Sequence, residues 1–271
     1  MRILLVLSFV GSLALGAAPA SALEPTPVTP ENPDAVVSEP PAWAPWDALL
    51  AEHTTEVTDV AGVRVDYAAI ARDPRWAALL GALATADAPR TRAERLAFWV
   101  NVYNVLAIDV VLQNLPLDSI RDAGSFLRPI WDRPAGRAAG RDVSLGEIEH
   151  EILRPLGDPR IHAAIVCAST SCPSLPREAF RAARLDAQLD ASVQRFLADP
   201  RKGARVTEAG AALRLSKIFD WFEDDFEAAG GVRAWLLPRL PERESAWLRA
   251  LGRSAPLDYF EYDWSLNDAA R

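Results

Sequence analysis

The longest block of apolar positions is LAFWVNVYNVLAIDVVL, Leu96 to Leu112, broken only by Asn101, Asn104 and Asp109. Its apolar residues cover every face of a helix rather than one stripe, the pattern of a helix buried on all sides. Thr91 followed three residues later by Glu94 is a capping box, which predicts a central helix near 92–113. The three polar interruptions argue against the same segment crossing a membrane.

Shorter blocks surround it. Trp43 to about Thr54 has helical spacing, VRVDY (63–67) alternates as a short strand, and Pro74 opens a further helix. Ser144 and Glu147 form a second capping box, which predicts a helix from about Leu145 to Leu153 in SLGEIEHEILRPL. RIHAAIVC (160–167) reads as a buried strand. Pro173 and Pro176 bracket the start of a helix through about Arg184, and LDAQLDASVQRFLAD continues as another. ARVTEAGAALRLS predicts a hairpin, SKIFDWFEDDFEAAGG a helix closed by Gly230 and Gly231, and PLDYFEYDW a final strand. Few strands among many helices give an α+β class: one helix-rich domain with a small β-sheet.

The N-terminus has a different composition. One arginine precedes an apolar run from Ile3 to about Leu15, and Ala20-Ser21-Ala22 has the small-x-small form of a signal-peptidase site, so residues 1–22 read as a secretory signal. The run is shorter than the roughly 20 residues of a membrane span, and no stable anchor is expected after cleavage. Residues 23–41 are proline-dense and poor in aliphatic side chains, the composition of a linker. The remaining residues, 42–271, are enough for one sizeable core. The expected destination is periplasmic or extracellular.

The 271 residues carry a net charge of -8, with 29 Lys and Arg against 37 Asp and Glu, and no basic cluster with interleaved aromatics. Nucleic-acid binding and attraction to an anionic membrane surface are therefore disfavoured.

Candidate chemistry centres on the chain's two cysteines, Cys167 and Cys172, and on its histidines. In an exported protein two cysteines this close most simply form a disulfide. The competing reading makes one of them a nucleophile, and a thiol at a helix start has its thiolate favoured by the dipole. His162 and Cys167 are five apart, which in an unbroken strand puts them on opposite faces. That directs attention to Cys172, with His150 or His162 as base. On an α-helix Glu147, His150 and Glu151 share a face while Glu149 points elsewhere, which makes Glu147 the candidate to orient a base. Asn101 and Asn104, one turn apart, either satisfy neighbouring backbone or bind substrate. In FDWFEDDF, Glu223, Asp224 and Asp225 are expected to face outward. No zinc-ligand spacing is present, so neither a metal nor another cofactor is called for.

Several of these stretches together resemble the family known as domain of unknown function 547. They are VDY (65–67), AFWVNVYNVLAI (97–108), SLGEIEHEILR (144–154), RIHAAIVCASTSCPSL (160–175), LSKIFDWFEDDF (215–226) and FEYDWSLN (260–267). The resemblance implies a globular domain and directs attention to Asn101, Asn104, Glu147, His150, His162, Cys167 and Cys172 without assigning roles. Two functions follow as expectations. One is a cysteine-dependent hydrolase or acyl transferase with a Cys/His/Glu site. The other is a non-catalytic binding or scaffolding domain stapled by a Cys167–Cys172 disulfide.

Overall fold

The central helix forms where the pattern places it. In a computed structural model that describes residues 43–125, 128–208 and 210–271, α4 spans Arg92–Asn114, after α1 (Trp43–His53), α2 (Tyr67–Arg72) and α3 (Pro74–Ala84). Thr91 caps α4: its hydroxyl accepts from the Glu94 amide, and the Glu94 carboxylate accepts from the Thr91 amide. Every residue from Leu96 to Val111 is buried. The expected signal segment and proline-rich linker, residues 1–41, lie outside the described residues.

Each polar residue buried on α4 has a structural partner. Asp109 accepts from Trp76 Nε1 at 2.9 Å. Asn101 accepts from the Phe180 amide at 2.9 Å and donates to the Phe180 carbonyl at 2.8 Å. Asn104 accepts from the Val166 amide at 2.8 Å and donates to the Ala164 carbonyl at 3.0 Å. The two amides thus act as surrogate backbone for segments that lack a ladder partner. Asn101 and Asn104 brace the core, the first of the two uses considered for them.

The strands are short. β1 (Thr54–Glu56) pairs antiparallel with β2 (Val63–Val65), and β3 (Pro134–Ala138) with β4 (Arg141–Ser144). β5 (Ala204–Val206), β6 (Leu213–Leu215) and β7 (Leu257–Tyr259) form a third sheet, antiparallel then parallel. α5 (Leu185–Ala198) leads into it, and α6 (Ile218–Trp221), α7 (Val232–Leu236) and α8 (Glu242–Leu251) complete it. The described residues form an α+β domain around a buried helix, with three small sheets among them where one was expected. Its apolar residues form two clusters, a larger one around α4 and a smaller one around β5–β7 and the helices after β6.

Two local expectations fail for identifiable reasons. RIHAAIVC is not a strand: Asp158 caps and Pro159 opens a 3₁₀ turn over Pro159–Ala163, and Asn104 takes the backbone groups that follow. The opposite-face argument separating His162 from Cys167 therefore lapses. No helix starts between Pro173 and Pro176 either, since each proline disfavours helical geometry in the residue before it. The chain has no regular structure there and is pinned by Asn101 at Phe180 and by Asp47, which accepts from the Ala179 amide at 2.6 Å.

Replacing Asn104 by Ala leaves one buried amide and one buried carbonyl unpaired, so Asn104→Ala is expected to cost about 2–4 kcal/mol in urea unfolding. Asn114→Ala, at the exposed end of the same helix, should stay within about 0.5 kcal/mol.

Candidate active site

Where the two apolar clusters meet, a cavity of about 220 Å³ opens, lined by Glu149, His150, His162, Cys167 and Cys172 and walled largely by aromatic rings. Its floor is the Cys167–Cys172 loop. Ala168 turns this loop with φ 63°, a left-handed conformation that costs a non-glycine residue of order 1–3 kcal/mol. The turn aims the loop's donors inward at one sulfur. Cys172 Sγ accepts from the Cys167 amide at 3.1 Å and from the Ser169 hydroxyl at 3.2 Å, and Tyr262 Oη stands 3.1 Å away.

Both cysteines are free thiols, so the disulfide clasp expected as the alternative is not formed. Burial alone pushes the Cys172 thiol up. Hydrogen bonds from Cys167, Ser169 and Tyr262 outweigh burial and hold it at about 6, well below the ordinary thiol range. Cys167 moves the other way, because its proton is shared toward Cys172 and because it is itself desolvated. The pair is best described as a thiolate at Cys172 receiving a proton donor from Cys167. The activation expected from a helix dipole comes instead from this cage of discrete donors.

The cage is completed from a distance. Residues 263–267 lie along the cysteine loop, with the Thr170 amide donating to the Ser265 carbonyl at 2.9 Å and the Asn267 amide to the Ala168 carbonyl at 2.9 Å. This pairing delivers Tyr262. From the other side the buried Lys202 ammonium donates to the carbonyls of Cys172 and Ala61, at 2.7 and 2.8 Å. Burial lowers Lys202 to about 8, against the opposing pull of the Cys172 charge.

The histidine and carboxylate roles differ from those the helical spacing predicts. Glu147–Leu153 winds as a π-helix, wider than an α-helix and frequent at functional sites. Glu147 faces outward and pairs with Arg141 at 2.7 Å, so it orients no histidine and its carboxylate does not close the expected capping box. Glu149 instead turns into the cavity. Burial, followed by the Cys172 charge, raises it to about 7. His150 lies at the rim, where its Nδ1 accepts from Arg154 at 3.1 Å. Burial, then Arg154, lowers it.

His162 is the buried histidine, stacked on Phe222 with ring centroids 4.2 Å apart. Its Nε2 donates to Asp225 Oδ2 at 2.7 Å, and Arg154 grips both oxygens of the same carboxylate at 2.7 and 2.8 Å. Those bonds hold Asp225 ionised despite partial burial, which assigns the Nε2–H tautomer to His162. Burial lowers His162, so it is neutral, and its Nδ1 lone pair lies 4.0 Å from Glu149 Oε1. Tyr103 Oη donates to Glu149 Oε2 at 3.5 Å. The result is a hydrogen-bonded row, Arg154–Asp225–His162, with Glu149 next to its imidazole end and lining the same cavity as Cys172. Among the described residues no hydrogen bond joins either sulfur to an imidazole, so the carboxyl of Glu149 stands where a direct Cys–His pair was expected.

Glu149, Asp225, Ser169 and Tyr262 are the site residues that sequence reasoning missed. Asp225 belongs to an acidic triplet on an otherwise apolar stretch, and Arg154 and His162, 71 and 63 residues away, distinguish it from its neighbours. One other group of metal-ligating types meets at the surface: Glu52, His53 and Asp73. Arg75 donates to both carboxylates and His53 to Asp73, which makes the group an ion-pair network.

Tyr262→Phe and Ser169→Ala should each raise the pH midpoint of Cys172 alkylation by about one unit, because each removes a donor to the thiolate. Glu149 gives a second outcome. Its folded value of about 7 exceeds the ordinary 4.5, so the folded protein retains a proton that the unfolded chain releases between those values. Stability therefore falls as pH rises through this window, and the loss is complete above 7. Glu149→Gln should be more stable than the parent at pH 8 by about 2–3 kcal/mol in urea, and equal to it at pH 4.

Comparison with known proteins fits the resemblance carried by the motifs. Residues 88–197 match the family model described as "Protein of unknown function, DUF547". No curated protein and no solved structure matches the chain. The matched residues contain Glu149, His150, His162 and both cysteines, while Asp225, Tyr262 and much of the aromatic wall lie beyond them. The chain carries a DUF547-like domain, and residues outside the matched segment complete the site at its centre.

Proposed function

We propose that the protein is a thiol-dependent hydrolase or acyl transferase in which Cys172 is the nucleophile and Glu149 the general acid–base. The observation that carries this reading is the donor cage on Cys172 Sγ, opening into a cavity that also holds a carboxyl titrating near neutrality. Each residue has a defined part. The Cys172 thiolate attacks the carbonyl carbon of an ester, thioester or amide; a C–S bond forms and the bond to the leaving group breaks. The leaving group departs with the proton of the Glu149 carboxyl. Water then adds to the thioester, returning a proton to Glu149, and the acid and the thiolate are released. A second nucleophile in place of water makes the same sequence a transfer. Asp225 fixes the tautomer of His162, whose Nδ1 lies 4.0 Å from Glu149 Oε1, while the Tyr103 hydroxyl donates to Glu149 Oε2.

The N-terminal sequence supports export, so we place the activity outside the cytoplasm. There, a thiol competent for acyl transfer must stay reduced. The Tyr262, Ser169 and backbone donors serve that end by stabilising the thiolate rather than a bond to Cys167.

Iodoacetamide should alkylate Cys172 without prior reduction, with a midpoint near pH 6. Reaction of neither cysteine until the protein is reduced would sink the reading. Turnover of an activated ester should be lost in Cys172→Ser. Its kcat/KM should follow a bell with limbs near 6 and 7 and a maximum at about pH 6.5, and the alkaline limb should vanish in Glu149→Gln.

A further inference from the structure

The cavity beside Cys172 has a chemical character that the acyl-transfer reading does not by itself require. Its walls away from the sulfur are Trp131, Ile165, Ile218, Phe222 and Trp264, and Trp221 stands at the mouth with 44% of its surface exposed. The rings form one braced wall. Trp264 meets Trp131 edge-on at 5.7 Å, stacks on Trp221 at 5.7 Å and packs on Tyr262 at 4.6 Å. Contacts of this kind fix ring orientation before any ligand arrives.

The charged groups set the sign of what can enter. No lysine or arginine is among the described residues that line the cavity. Arg121 and Arg154, which meet rings of the cavity wall, are placed on aromatic faces, Arg121 over Trp264 and Arg154 over Phe222, and Arg154 is further tied to Asp225. An anionic group would meet the Cys172 thiolate with no lysine or arginine among the described lining residues to balance it. A cationic group would find aromatic faces, but Glu149, the one carboxyl in the cavity, is held near neutrality by burial rather than kept ionised for a counter-charge. Size sets the remaining limit. A cavity of about 150 Å³ accepts a benzene ring, so about 220 Å³ accepts a ring together with the carbonyl that joins it to the sulfur.

We propose that the acyl group carried by Cys172 is neutral and apolar, of the size of a phenylacetyl or hexanoyl group, and that it lies against the Trp131–Trp264–Trp221 wall. This rests on the acyl-transfer reading, and the two can fail separately.

The test is a series of 4-nitrophenyl esters (acetate, hexanoate, phenylacetate and succinate) with the full chain, alongside phenylacetamide binding to the Cys172→Ser protein followed by tryptophan fluorescence. The phenylacetyl and hexanoyl esters should exceed acetyl in kcat/KM by about 10–100-fold, given the transfer of several methylene groups from water, and succinyl should fall below acetyl. Phenylacetamide should quench fluorescence saturably. The ratio of phenylacetyl to acetyl kcat/KM should drop about fivefold in Trp221→Ala, whose exposed side chain can be removed without opening the core. Equal rates for acetyl and phenylacetyl, or a preference for succinyl, would overturn the proposal while leaving thiol catalysis standing. Saturable phenylacetamide binding with no ester turned over would reject the catalytic reading and retain the apolar pocket. Absence of both turnover and binding would reject the two together.

Discussion

A negative charge on the sulfur of a residue that is 3% exposed has to be matched by donors within hydrogen-bond reach, or it will not form. That constraint organises the centre of this molecule. The left-handed turn at Ala168 brings the Cys167 amide and the Ser169 hydroxyl round to Cys172, the pairing of residues 263–267 supplies Tyr262, and Lys202 holds the Cys172 carbonyl from behind. None of these groups is worth much alone. Together they reverse the direction in which burial drives the thiol. The same burial acts unopposed on Glu149, where no comparable set of donors exists, and so drives a carboxyl up while its neighbour sulfur goes down. Environments that push two groups in opposite directions are what acid–base work near neutrality requires.

The frame was legible in the sequence, and the reasons are local. Thr91 and Glu94 announce the start of α4, and continuous apolar residues announce its burial, because capping and helical periodicity depend only on near neighbours. The cysteines and His162 were likewise marked by their residue types. What stayed hidden depends on distant partners. The side chain of Glu149 enters the cavity only because Glu147–Leu153 winds as a π-helix, which α-helical spacing does not anticipate. Asp225 looks like its acidic neighbours until Arg154 and His162 meet it. RIHAAIVC has the composition of a strand and loses that form to the Asp158–Pro159 turn start and to Asn104, a side chain 60 or more residues away.

The two apolar clusters also explain why so many unrelated segments contribute. His162 precedes the cysteine loop on the larger cluster, and its ring stacks on Phe222, which packs on the smaller one. Tyr262 packs against both. A cavity at such a seam borrows rigidity from each side, since neither cluster closes over it. The residues matched by the family model, 88–197, build one wall and both cysteines; the stretch after β6 builds the other wall and the carboxylate that holds His162.

Tyr262 is separated from Cys172 by 90 residues. During synthesis the cysteine loop emerges long before that phenol, and through this interval Cys172 lacks one of its donors. The thiol is then closer to an ordinary, protonated cysteine. The full set of donors around this sulfur is therefore in place only once the segment around Tyr262 has docked.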